Sequence, residues 1–321
     1  MTTPPAWSAE QLREAAEALR AVTRPTPLVA APALAERVGV PVYLKCEQFQ
    51  PIGAFKVRGA FTALARLPDP VRERGVVTHS SGNHGQAVAF AAARFGVRAL
   101  IVMPQTASPV KVEGVRRHGG SIEFVPPVST ARAERAEALA REHGMTLLPP
   151  YDHPDVILGQ ATCGLEILDQ AAGLRTILAP VGGGGLLAGT CVAVTALHAR
   201  TEVIGVEPAG APKLSRALQA GHPVVLDRAE SVADGLLPLS VGRLTFTYIA
   251  PVVRRTAAVT DGDIGEAMRA LYREAGLRVE PSGAASVAAL LAGHVRPDGP
   301  VVAILSGGNV APDVFDRLVF A

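Results

Sequence analysis

The stretch "TILAPVGGGGLLAGTCVAV", residues 176–194, decides the architecture. It opens with a short apolar run, breaks at four consecutive glycines and resumes with apolar and small residues at helical spacing. This pattern predicts a buried strand, a tight loop and a helix. The stretch lies within an uncharged run between Arg175 and Arg200 that is long enough for a membrane span. Gly182, Gly183, Gly184 and Gly185 would break a membrane helix, so the run reads as part of a soluble protein.

The same alternation extends in both directions. "GVVTHS", "RALIVMP", "SIEFVP", "EVIGVEP" and "VVAILSG" are short apolar runs bounded by Gly, Pro or Ser. Between the strand-like runs lie helix-period segments at 84–95, 130–143, 186–198 and 261–275. Apolar strands alternating with helices imply an α/β fold built on open, parallel-rich sheets flanked by helices. Residues 75–150 hold three strand–helix units and end in the proline-rich "LLPPYDHP". The expected organisation is a small unit, 68–151, inserted into a larger one made of 1–67 and 152–321.

Composition narrows the function classes. The 321 residues are 48% hydrophobic, and 31 basic against 29 acidic residues give a net charge of +2. That balance offers no electrostatic footprint for nucleic acid. Cys46, Cys163 and Cys191 are far apart and lack metal-ligand spacing, which points to a reducing, cytoplasmic setting. The N-terminal "MTTPPAWSAEQLREAAEALR" has no apolar core of a signal peptide, and Ser8 with Gln11 forms a capping-box pattern.

Three loops fall where strands end: "SSGNHGQA" (80–87), "VGGGGLLAG" (181–189) and "SGGN" (306–309). In doubly wound sheets ligands sit beyond the carboxyl ends of the strands. Successive glycines before a helix let several main-chain N–H groups approach one anion, with the helix dipole assisting. The alternative, a glycine turn that serves only tight strand–helix packing, stays open on the loop alone. No Lys-Ser/Thr follows, so this is not a P-loop, and the dinucleotide spacing is missing. Within "KCEQFQPIGAFKVRGA", residues 45–60, Lys56 stands among apolar neighbours. Such a setting disfavours the ammonium form and suits an amine that must react. An enclosed amine together with a phosphate cradle is what pyridoxal 5'-phosphate requires.

In this order and separation, "GAFKVRGA", "SSGNHGQA", "PVGGGG" and "SGGN" resemble the β-family (fold type II) of pyridoxal-phosphate enzymes. The similarity is to its threonine/serine dehydratase and serine racemase group, from about residue 20 onward. "VADGL" (232–236) and "VEPSGAA" (279–285) resemble further family segments. The resemblance implies a two-domain fold type II enzyme with Lys56 as the Schiff-base lysine and the base at Cα. It implies that Phe55 packs beside the cofactor ring, that Asn83 meets the ring hydroxyl and that Gly182–Gly185 hold the phosphate. Ser306 would face the pyridine nitrogen, keeping the ring largely unprotonated and favouring elimination over transamination. Glu280 would line the ring or, as an alternative, cap the helix before Pro281. Ser80, Ser81, Asn83 and His84 would surround the substrate carboxylate. Ser81 would also permit racemisation from the face opposite Lys56. Arg132 would reach toward substrate or lie on a solvated helix face.

No metal is expected. Relatives with a divalent-cation site place an aspartate six residues after a glutamate, and here Glu207 is followed at that spacing by Lys213, which could pair with it instead. The implied activity is an ammonia-lyase acting on L-threonine or L-serine, in a homodimer. Alternatives are an amino-acid racemase or a dehydratase of hydroxyaspartate or phenylserine. A nicotinamide oxidoreductase or a non-catalytic vitamin-binding protein are rivals from other classes. The sequence closes on "FDRLVFA", which leads to the expectation of an unregulated, catabolic enzyme without a C-terminal regulatory domain.

Overall fold

A computed structural model describes residues 6–80, 82–127 and 129–320. Its ten strands are β1 (Leu28–Ala30), β2 (Val42–Cys46), β3 (Val76–His79), β4 (Ala99–Pro104) and β5 (Ser121–Val125), then β6 (Thr146–Leu147), β7 (Thr176–Pro180), β8 (Glu202–Pro208), β9 (Thr256–Val259) and β10 (Val301–Leu305). They form two sheets, a six-stranded one in the order β1-β2-β10-β7-β8-β9 and a four-stranded one in the order β5-β4-β3-β6. Only β1 runs antiparallel, against β2; every other pairing is parallel. All four strands of the second sheet come from residues 76–147.

The opening stretch folds as its pattern predicts. Every residue of β7 is buried, and the helix Gly185–Ala196 follows the glycines directly. Burying side chains such as Ile177 and Leu178, both 0% exposed, contributes about 1.5–3 kcal/mol each. Helices cover both faces of the large sheet and generate two apolar layers, one centred on helices 261–275 and 281–291, the other on helices 154–170 and 185–196. The Ser8 capping box forms, with Gln11 N–H donating to Ser8 Oγ and the Gln11 side chain accepting from Ser8 N–H. No helix among the described residues is long and apolar enough to cross a membrane.

The helix Lys56–Ala65 packs Val57, Ala60, Phe61, Ala63 and Leu64 into the cluster that covers the second sheet. Its opposite anchor is a buried charge network. Arg58, 1% exposed, donates to Glu47 at 2.8 Å and to Glu166 at 2.7 Å. Lys45, 0% exposed, donates to Glu166 at 2.6 Å, to the Thr26 carbonyl at 2.9 Å and to Gln170 at 2.9 Å. Burial alone would raise the Glu47 carboxyl, but the charge and hydrogen bonds of Arg58 prevail and hold it down at about 2. Each charge in the network has its counterpart, as buried ions require.

Candidate active site

Adjacent parallel strands end on one edge, so topology assembles the site. β2, β10 and β7 are neighbours in the large sheet. Beyond β2 the chain leads to Lys56, beyond β10 lies Ser306–Asn309, and beyond β7 lies the glycine loop. From the second sheet, β3 delivers the loop that starts at Ser80 and leads into the helix Asn83–Arg94.

Lys56 is the first residue of its helix, and its Nζ donates to the Pro150 carbonyl at 2.6 Å. The amine sits 5.1 Å from the Phe55 ring centroid. Lys56 is half-buried as a residue, and burial of its amine pushes its pKa down to about 8. Phe55 N–H donates to the Ser306 carbonyl at 3.1 Å, which ties the lysine helix to the β10 loop. The Ser306 hydroxyl is buried and makes only a long contact, 3.5 Å, to the Ser282 carbonyl.

The glycine loop is closely covered. A Cβ on Gly183 would lie 2.2 Å from the Tyr151 ring, and Gly184 has φ +93°, which disfavours any other residue. Among the described residues no acceptor faces the N–H groups of residues 182–187, although Val181 N–H is bonded to Val206. Unmatched donors at the start of the helix Gly185–Ala196 form an anion cradle. The enclosed amine and this cradle meet the two demands of pyridoxal phosphate. They are linked by one short segment, since Pro150 accepts from Lys56 and Tyr151 packs on the loop.

Asn83 is a hub. Its Nδ2 donates to Glu280 Oε1 at 2.6 Å, and its Oδ1 accepts from Asn309 Nδ2 at 2.9 Å. Those two bonds use one of the two amide hydrogens and one oxygen lone pair of Asn83. Glu280 precedes the helix Pro281–Leu291 but makes no side-chain cap bond, so the capping alternative is set aside in favour of its bond to Asn83. Its second oxygen is buried without a partner. Burial raises the Glu280 carboxyl to about 7, although Lys111 pulls in the other direction. Lys111, itself buried, pairs with Asp234.

His84 is 3% exposed, and its Nε2 lies 3.2 Å from the Leu148 carbonyl. Burial, followed by the charge of Lys56, keeps its pKa well below the usual value. A neutral ring that donates from Nε2 to a carbonyl leaves Nδ1 as an acceptor. Ser80 Oγ accepts from Gly82 N–H at 3.0 Å. Arg132 is half-buried and close enough to His79, the last residue of β3, for its charge to lower the His79 pKa after burial has done so. Ser81 lies outside the described residues.

The expected Glu207–Lys213 pairing takes a different form. Glu207 accepts from the backbone N–H groups of Leu214 at 2.7 Å and Ser215 at 2.9 Å. Lys213 Nζ donates instead to the carbonyls of Ala211 at 3.1 Å and Leu236 at 2.8 Å. Backbone partners satisfy both groups, because the start of the helix Lys213–Ala220 offers N–H donors on one side and the 234–236 turn offers a carbonyl on the other. No cluster of His, Cys, Asp or Glu able to hold a metal occurs among the described residues.

Sequence reasoning missed Asn309, Lys111, Asp234, Tyr151 and Asp152. Asn309 closes "SGGN" and Asp234 lies in "VADGL", so both stood within noticed motifs. Nothing local marks Lys111, whose partner Asp234 is 123 residues away.

The family model for pyridoxal-phosphate dependent enzymes matches residues 19–307. A β-hydroxyaspartate dehydratase of Paracoccus denitrificans is 37% identical over 95% of this chain and 96% of its own length. An L-threonine ammonia-lyase of Geobacter sulfurreducens is 37% identical over 93% of this chain and 75% of its own. The structure of maize serine racemase superposes with a TM-score of 0.93 at 34% identity, covering 98% of this chain and 97% of that one.

Proposed function

We propose that this chain, which belongs to the pyridoxal-phosphate dependent enzymes, is an ammonia-lyase that converts a β-hydroxy amino acid to a 2-oxo acid and ammonia. One observation carries the reading: the enclosed Lys56 amine and the unmatched glycine-loop donors are joined through Pro150 and Tyr151. When bound, pyridoxal phosphate withdraws electrons from the amino acid's Cα, so that the C–H bond there becomes acidic. Gly182–Gly185 and the following helix start would hold the phosphate. Lys56, whose amine burial holds at a pKa of about 8 in the cofactor-free protein, would be the base that accepts the Cα proton. The β-hydroxyl leaves with a proton as water, and the released enamine hydrolyses to the 2-oxo acid and ammonia.

The supporting residues orient the reactants. Glu280 and Asn309 fix both ends of the Asn83 amide, and its remaining N–H would be available to the cofactor's ring hydroxyl. If Ser306 met the ring nitrogen, its hydroxyl, a weak acid, would leave the ring largely unprotonated and so favour expulsion of a β-substituent over transamination. The tautomer of His84 cannot donate from Nδ1, so the substrate carboxylate is left to the Ser80 loop and the N–H groups that open the helix Asn83–Arg94.

The substrate's side chain has two readings. L-threonine or L-serine follows from the motifs. A 3-hydroxyaspartate is favoured by Arg132, a half-buried cation at the β3 end of the substrate loop, and by the Paracoccus relative. An assay of 2-oxo acid over L-serine, L-threonine, L-threo-3-hydroxyaspartate and phenylserine tests this. Turnover of at least one with ammonia release is expected. An Arg132→Ala variant loses turnover selectively on the dicarboxylic substrate if the second reading holds. Inversion of serine at Cα with no 2-oxo acid formed would overturn the lyase assignment in favour of a racemase.

A further inference from the structure

We propose that Asp152 and Thr245 are positioning residues for the cofactor phosphate: together they pin the Gly183 carbonyl outward and thereby aim the Gly184 N–H into the anion cradle. The inference rests on the family reading above and assigns roles to two residues outside the recognised motifs.

The Gly183 carbonyl accepts from Gly242 N–H at 3.1 Å and from Thr245 Oγ1 at 2.9 Å, whose single proton is shared with the Gly242 carbonyl at 3.0 Å. Both donors belong to the turn that opens the helix Arg243–Ile249. That turn is held by one carboxylate: Asp152 accepts from the N–H groups of Arg243 at 3.1 Å, Leu244 at 2.9 Å and Thr245 at 3.0 Å. Three charge-assisted bonds from consecutive amides fix the turn as a rigid unit.

Peptide geometry carries the constraint across the loop. In a trans peptide the C=O of one residue and the N–H of the next point in opposite directions. No cis peptide occurs among the described residues. With the Gly183 oxygen turned toward Thr245, the Gly184 N–H must face the other side, where residues 182–187 have no acceptor. A side chain at 184 would also strike the clamp, because its Cβ would lie 3.0 Å from Thr245 Oγ1. Pro150, two residues before Asp152, accepts from the Lys56 amine. One short segment therefore sets both where the amine rests and how the phosphate donors point.

The test compares two ligands that differ only in the phosphate. Full-length enzyme stripped of cofactor is titrated with pyridoxal phosphate and with pyridoxal, and both dissociation constants are read from absorbance. Thr245→Val and Asp152→Asn should weaken pyridoxal phosphate about tenfold, the worth of one to two lost hydrogen bonds, and leave pyridoxal unchanged. Thr245→Ser should restore the wild-type ratio. Equal weakening of both ligands, or no change in either, overturns the proposal in favour of a purely structural role. Should Asp152→Asn fail to fold, Thr245→Val alone decides, since it replaces a hydroxyl with a methyl of similar size. A wild-type chain that binds neither ligand overturns the family reading itself, an outcome separate from any change in the ratio.

Discussion

Lys45 and Lys56 stand in the same sixteen-residue stretch, and the protein treats them in opposite ways. Lys45 is fully buried and meets Glu166 at 2.6 Å, with Arg58, Glu47 and Gln170 completing the network. Lys56 has a carbonyl as its hydrogen-bond acceptor and an aromatic ring beside it, and no carboxylate among the described residues pairs with it. Enclosure is common to both, so enclosure alone does not make a lysine reactive. Withholding the carboxylate does, because the ammonium then bears the loss of solvation uncompensated.

Removing either cation gives the largest contrasts. Lys56→Ala should lower turnover by on the order of a thousandfold or more and abolish the visible absorbance of bound cofactor, while circular dichroism stays native. Arg58→Met should leave Glu47 and Glu166 under-compensated and cost about 3–5 kcal/mol in urea unfolding, without a specific effect on chemistry per folded molecule. If Arg58→Met were neutral in stability, the distinction between a paired structural site and an unpaired reactive one would fail.

pH separates the two more finely. The folded Lys56 pKa of about 8 lies below the usual 10.5, so the unfolded chain holds a proton that the folded one has released between those values. Cofactor-free protein therefore gains stability as pH rises through that window. Lys56→Met should reduce this gain and raise the neutral-pH melting temperature by roughly 1–2 °C, the scale of a 1 kcal/mol effect in a chain of this length. The residual rise belongs to Lys213, which burial also lowers to about 8. Attachment of pyridoxal phosphate to the stripped enzyme should accelerate with pH and level off above about 8 in stopped-flow absorbance. The smallest effect is expected at an exposed pair: Arg255→Ala, which breaks its 2.6 Å contact with Glu202, should shift stability by less than about 1 kcal/mol.

The sequence made legible the strands whose runs close on Pro or Ser: β3, β4, β5, β7, β8 and β10 all lie within the quoted segments. It made β2 harder to see because Lys45 interrupts its apolar pattern, and that lysine is intelligible only with Glu166, 121 residues away. β1, β6 and β9 are two to four residues long and carry no period of their own. In the site, Lys56 and the glycines announced themselves because their chemistry depends on residue type. Asn309, Asp152 and Lys111 did not, because their roles depend on which distant group each one meets.

β2 and β10 lie side by side in the middle of the large sheet, although Val42 pairs with Val301. Until residue 305 has left the ribosome, the strand that leads to the reactive lysine has its parallel neighbour missing, and the β7 loop stands apart from it. Folding must therefore close a span of more than two hundred residues, which predicts slow maturation and a long exposure of apolar strand edges to chaperones.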